Sequence, residues 1–175
     1  MHFSTLFSFC PVCRSERFIL NNKKSKRCED CGFVYYQNVS AAVAAFILTG
    51  NNELLVCRRA KDPAKGTWDL PGGFVDDEEN AEEALTREIH EELQAETTEV
   101  RYLFSLPNKY EYSGMTIPTL DLFFSCKLSG TENLRPSDDV EDCFFVPLSG
   151  INPENFGLES IKKAIGIYRE MMAKP

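Results

Sequence analysis

The chain has 175 residues, 43% of them hydrophobic, enough for one ordinary domain with a buried core and a small appendage. Its net charge of −8 argues against broad affinity for nucleic acid or an anionic membrane, since both need a positive field. No apolar run approaches the ~20 residues that span a bilayer, and the opening MHFSTLFSFCPVC lacks a basic stretch and a small-residue cleavage site, so the expectation is a cytoplasmic protein without membrane contact.

Seven cysteines, an odd number without a secretory leader, turn attention from disulfides to spacing. Cys10 and Cys13 in FCPVC, with Cys28 and Cys31 in CEDCG, form the pattern C-x2-C-x14-C-x2-C. Two tight turns at that spacing present four thiolates tetrahedrally, which predicts a structural Zn²⁺ in a ribbon over residues 1–37. Between the knuckles lies NNKKSKR, the one basic cluster, which reads as a solvated hairpin tip because no aromatic residues interleave it.

From residue 38 onward, longer elements are expected. AAVAAFILT and ELLVCRR are apolar β-compatible runs around GNN and predict a hairpin; DPAKGTWDLPGG is turn-rich, and Trp68 within it belongs to the fold. EVRYLFSL, TLDLFFSCKL and DCFFVPL read as further strands, with Cys57, Cys126 and Cys143 as small core residues. LESIKKAIGIYREMMA carries Leu158, Ile161, Ile165, Tyr168 and Met172 at helical spacing. The result is an α/β domain over residues 38–175, a mixed sheet flanked by helices.

The helix NAEEALTREIHEELQ opens with Asn80 as N-cap and Glu83 three residues on, a capping box, and its apolar stripe is Ala81, Leu85, Ile89 and Leu93. At ~100° per residue, Glu88 lies about 60° from Leu85 and Glu92 only about 20° from it, so Glu92 projects into the face that packs on the sheet. Glu88, Glu91 and Glu92 also repel one another across successive turns, and Arg87 alone is too little to answer three acids. A carboxylate in such a place must be protonated, paired or bound to metal, and a cluster of Glu oxygens without His suits a hard cation such as Mg²⁺.

The run from Gly73 through Glu79, Arg87, Glu88, Glu91 and Glu92 to Gln94 resembles the Nudix box, G-x5-E-x7-R-E-U-x-E-E-x-G-U, at every defined position but the last glycine, where Gln94 stands. The resemblance implies an α/β/α sandwich from about residue 38 onward whose glutamates hold divalent cations, Mg²⁺ or Mn²⁺. Those cations activate hydrolysis of a nucleoside diphosphate linked to another moiety. It implies Glu88, Glu91 and Glu92 as metal ligands, Gly72 as a backbone carbonyl ligand, Arg87 as their orienting partner and Glu79 as a nearby acid. DDVEDCFFVPL resembles a later family segment that supplies a further acid, here Asp139.

A zinc ribbon directly before such a domain resembles the NADH pyrophosphatase group, typically dimeric, so a homodimer is among the arrangements implied. That group's S-Q-P-W-P-F-P-x-S segment corresponds to residues 105–113, SLPNKYEYS, where the outer Ser, Pro and Ser persist and the aromatic centre does not. Candidate substrate contacts are Arg58, Tyr110 and Tyr112. The small-molecule substrate is then ADP-ribose, NADH or a nucleotide sugar, and the Cβ-bearing Gln94 leaves open a second class, a zinc-ribbon protein that binds a nucleotide without cleaving it.

Overall fold

The computed structural model describes residues 3–130 and 134–173. Contacts sort the chain into two units, Met1–Val39 with Lys109–Pro118, and Ser40–Asn108 with Thr119–Pro175. Among the described residues no helix is long and apolar enough to cross a membrane.

In the first unit, α1 (Phe3–Leu6) precedes a sheet of β1 (Phe18–Asn22), β2 (Ser25–Cys28) and β3 (Val34–Tyr36), in that order. Lys23 and Lys24 form the exposed tip expected between β1 and β2. Lys26 departs from the solvated reading. It is buried, donates from Nζ to the carbonyls of Ser4 (3.2 Å) and Phe7 (2.5 Å), and lies 5.0 Å from the Phe18 ring centroid. Open carbonyls at the end of a one-turn helix need donors, and the lysine supplies them.

The second unit contains β4 (Ser40–Phe46), β5 (Glu53–Arg59), β6 (Trp68–Asp69), α2 (Ala81–Leu93), most of β7 (Thr97–Tyr112) and β8 (Met115–Leu128), β9 (Val140–Pro147) and α3 (Glu159–Met172). One sheet has the order β4-β8-β7, with β4 and β8 parallel, and the other has the order β6-β5-β9, antiparallel throughout. Strand alternation gives each sheet two apolar faces. Val43, Ala45, Leu55, Cys57 and Phe124 pack with Leu85, Ile89 and Leu93 of α2, while Ala44, Phe46, Leu54, Val56 and Phe123 pack with Ile161, Ile165 and Tyr168 of α3. Tyr168 stacks on Phe46 with ring centroids 3.9 Å apart. Trp68 packs edge-on against Phe144 and Phe156, as a residue of the fold.

The hairpin expected of β4 and β5 forms only at its turn, where Leu55 N–H donates to Ile47 O (2.9 Å) and Leu48 bridges Leu54. Beyond it the strands part, because the edge of β4 is already taken. Val43 N–H donates to Gly73 O (2.8 Å), Ala45 N–H to Pro71 O (2.9 Å) and Val75 N–H to Ala41 O (3.1 Å), so the stretch after β6 lies along β4. What the sequence presents as a turn-rich connection is in its second half an extended rail.

At the end of α2, Gln94 adopts the left-handed conformation (φ 53°, ψ 38°), its N–H donating to His90 O. The glycine-type turn is therefore kept with a side chain that strains it. Gln94→Gly is expected to stabilise the fold by about 1 kcal/mol, a rise of a few degrees in Tm. Thermal unfolding of the two proteins checks this, and an unchanged or lower Tm would show that the strain is relieved by neighbouring contacts.

Candidate active site

The rail positions the site. Gly72 (φ 140°) lies so close to β4 that a Cβ there would overlap the Val43 carbonyl, which only glycine avoids. Its N–H points the other way and donates to Glu92 Oε2 at 2.9 Å. Gly73 is pressed by Glu88: a Cβ at residue 73 would come within 2.5 Å of that carboxyl group. Two successive glycines thus allow one segment to fit between β4 and the acidic edge of α2.

Helix α2 begins as the sequence indicates, with Asn80 accepting from Glu83 N–H (3.0 Å) and Glu83 accepting from Asn80 N–H (2.9 Å). Its stripe turns Leu85, Ile89 and Leu93 into the core and carries Glu92 with them, 5% exposed. Burial pushes the Glu92 carboxyl well above the usual carboxylate range; the Gly72 N–H opposes this, and the charges of Glu88, Asp69 and Asp139 reinforce it.

Arg87 does more than its solitary charge suggests. Its NH2 and Nε meet Glu79 at 2.6 and 3.1 Å, its NH1 meets Glu88 at 2.9 Å and Glu91 at 3.0 Å, and its NH2 also donates to Phe74 O at 3.0 Å. A planar guanidinium can serve several oxygens at once. The shortfall expected of one arginine against three acids is therefore confined to Glu92. Glu79 is held below its ordinary pKa by Arg87 and by the Asp76 N–H, while burial raises Glu88.

Asp139 lies in the turn just before β9, where its carbonyl accepts from Ala60 N–H (2.8 Å) and its half-exposed carboxylate is paired with Lys61. Its charge reaches Glu92. Lys61, which also binds Asp138 at 2.9 Å, was not evident in the sequence: 77 residues separate the partners, and only the pairing of Arg59 with Val140 brings them together. Arg58 lies on the opposite face, its guanidinium 5.8 Å from the Phe144 ring centroid and bonded to Gly66 O. Tyr110 and Tyr112 belong to the strand tip that sorts with the first unit, Tyr112 exposed.

In the first unit the Sγ atoms of Cys10, Cys13, Cys28 and Cys31 lie within 4.8 Å of one another, with Cys10–Cys31 at 3.7 Å and Cys13–Cys28 at 3.5 Å. Four sulfurs around Zn²⁺ at about 2.3 Å would stand about 3.8 Å apart, so this cluster fits the ion. The close sulfurs share protons unevenly: the Cys28 thiol is lowered to about 6, chiefly by the Cys31 N–H, while Cys13 is pushed up to about 12 and Cys31 upward.

Comparison with known proteins identifies the family and the fold. The NUDIX domain family model matches residues 39–164. NAD-capped RNA hydrolase NudC of Chromobacterium violaceum is 30% identical over 135 residues, covering 77% of this chain and 48% of that protein. Its counterpart in Pseudomonas putida is 24% identical over 160 residues, covering 91% and 55%. The chain thus spans about half the length of these curated relatives. Among solved structures, a NUDIX hydrolase from Nitrosomonas europaea superposes with a TM-score of 0.70 at 24% identity, covering 96% of this chain and 94% of that one. The NUDIX domain of Shewanella oneidensis NrtR complexed with ADP ribose gives 0.64 at 19% identity, covering 79% and 91%.

The raised pKa of Glu92 has a sign that can be tested. A carboxyl whose folded pKa exceeds its unfolded value favours folding while protonated; that contribution is complete below the unfolded pKa and is lost as pH rises through the folded one. Without added divalent cation, the Tm of the wild type should therefore fall relative to that of Glu92→Gln as pH rises above the unfolded glutamate value of about 4.3. Parallel Tm profiles would mean that Glu92 carries no such penalty.

Proposed function

We propose that this chain, which belongs to the Nudix family, hydrolyses the pyrophosphate bond of a nucleoside diphosphate linked to another moiety and releases a nucleoside monophosphate. The observation that carries this reading is Glu92, a carboxyl buried on an apolar helix face and bonded to a neutral N–H, with the charge of Glu88 bearing on it and Glu91 preceding it on the same helix. An all-oxygen donor set with partly open sides fits Mg²⁺ or Mn²⁺, held by Glu88, Glu91, Glu92 and the Gly72 carbonyl. When bound there, divalent cations supply charge neutralisation at the diphosphate and a more acidic attacking water.

The chain's own groups define the remaining roles. Arg87 bonds Glu88, Glu91 and Glu79 at once, so these carboxylates are ordered before substrate arrives. Glu79 is the outer acid of the group, and Asp139, tied to Lys61, is the candidate for accepting the proton of the attacking water. A module that only bound nucleotide would have no use for this set, which favours the enzyme. Zn²⁺ in the four-cysteine cluster is structural, since a closed thiolate site leaves no position for substrate. Reduced thiols suit a cytoplasmic setting.

The relatives named as NAD-capped RNA hydrolases and the neighbour with bound ADP ribose both point to an ADP-containing substrate. The diphosphate is common to all candidates, so selection of the distal group falls to residues outside the box. With Asn108-Lys109-Tyr110-Glu111 in place of an aromatic and proline platform, ADP-ribose is the favoured substrate.

A product-resolved screen of ADP-ribose, NADH, nucleotide sugars and NAD-capped RNA with Mg²⁺ and Mn²⁺ tests the reading. The kcat/KM for ADP-ribose should at least equal that for NADH, with AMP as product, and Glu88→Gln should lower turnover by about two orders of magnitude or more. Loss of less than tenfold would remove Glu88 from the chemistry, and a strong preference for NADH would reassign the distal-group selection.

Metal analysis of protein purified without chelator should find about one Zn²⁺ per chain, and Cys28→Ser should abolish it and destabilise the ribbon. Zinc-free protein that is fully folded would contradict the structural assignment.

A further inference from the structure

A second buried acid stands behind the site. Asp69, the last residue of the two-residue β6, is 8% exposed and shares the α2-facing side of the sheet with Cys57, its register partner on β5. Its Oδ2 receives Arg59 NH1 at 2.5 Å and its Oδ1 receives the Leu70 N–H at 2.9 Å. Arg59 is itself tied to the loop that follows it: Nε donates to Pro63 O at 2.8 Å, and the backbone exchanges hydrogen bonds with Thr67 and Gly66.

Such a pair is a poor device for stability alone, because desolvating two charges costs about as much as their attraction returns. Its location suggests another use. Residue 69 is where the rail begins, and the residues that follow it connect β4 to the acidic edge of α2. Pro71 O and Gly73 O are bound by β4, Gly72 N–H is bound to Glu92, and Gly73 is pressed by Glu88. With β6 only two residues long, sheet pairing fixes the start of the rail weakly, and the Asp69 carboxylate fixes both its side chain and the next N–H. A site whose ligands must be placed to about 0.5 Å needs its supporting backbone held on such terms.

We infer that Asp69, clamped by Arg59, is a positioning residue for the divalent-cation site, fixing the Leu70–Gly73 rail so that Gly72 and Gly73 set the places of Glu92 and Glu88. This rests on the metal-site reading proposed above. Neither residue touches substrate; each acts through the rail.

The test is Mn²⁺ affinity of the full chain, read by electron paramagnetic resonance of free Mn²⁺, for four variants beside the wild type. Asp69→Asn keeps an acceptor for Leu70 and loses the guanidinium clamp; it should bind Mn²⁺ about tenfold more weakly, the scale typical of residues that support metal ligands. Asp69→Glu keeps the charge and should recover part of that loss. The double variant Arg59→Met with Asp69→Leu replaces the pair by apolar side chains and should melt at or above the wild-type temperature. It should nonetheless bind Mn²⁺ about as weakly as Asp69→Asn. A double variant of wild-type stability and wild-type affinity would overturn the inference and reduce the pair to a packing element. Glu92→Gln separates the two levels. If it loses affinity while the Asp69 variants do not, the positioning role alone is wrong; if it binds Mn²⁺ like the wild type, the metal-site reading is wrong and the inference goes with it.

Discussion

One hydrogen bond organises the second unit, that from the Gly72 N–H to the Glu92 carboxylate. It joins the rail on β4 to the helix that carries the acids, and it brings a carboxyl group into a face otherwise made of Leu85, Ile89 and Leu93. Leaving an ionised carboxylate there with one neutral donor costs several kcal/mol. The cost fixes what the surroundings can be: the group takes up a proton, or a cation comes to it. The glycines follow from the same constraint, since a side chain at either position would drive the rail off β4 or off Glu88.

The two helices explain why the rail exists at all. Because α2 and α3 cover opposite faces, strands such as β4 and β5 are apolar on both sides and carry no polar face to announce their edges. Each edge is then free to take whichever partner the topology offers. β4 takes β8 on one side and the rail on the other, while β5 takes β6 and β9. The parting of β4 and β5 opens the line along which Pro71–Val75 runs.

That history also decides what could be read from the sequence. The capping box of Asn80 and Glu83, the stripe of α2 and the inward direction of Glu92 depend on spacing within one helix, and all three are legible locally. The four-cysteine cluster is legible for the same reason, two short turns of fixed spacing. The parting of β4 and β5, the pairing of Lys61 with Asp139 and the burial of Lys26 are not, because each depends on which strands meet across long stretches of chain. Gln94 is a case between: the left-handed turn follows from the helix end, but whether a glutamine would tolerate it does not, and the structure shows that it does.

The carboxylates around α2 then divide by the partner each has. Glu79, Glu88 and Glu91 share the guanidinium of Arg87, an arrangement whose charges are largely answered within the protein. Glu92 has a backbone dipole, and the charges that bear on it from Glu88, Asp69 and Asp139 are all negative. Since a guanidinium bonds through fixed, directional N–H groups and a divalent ion through a compact charge, the two are not interchangeable at these oxygens. On the proposed reading a cation would gain most at Glu92, whose hydrogen-bond donor is a neutral N–H, and least at Glu79, which Arg87 already holds. On that reading, the contrast between Glu92, which only a proton or a cation can satisfy, and Glu79, whose charge Arg87 already answers, would count for more than the number of glutamates in placing a metal ion.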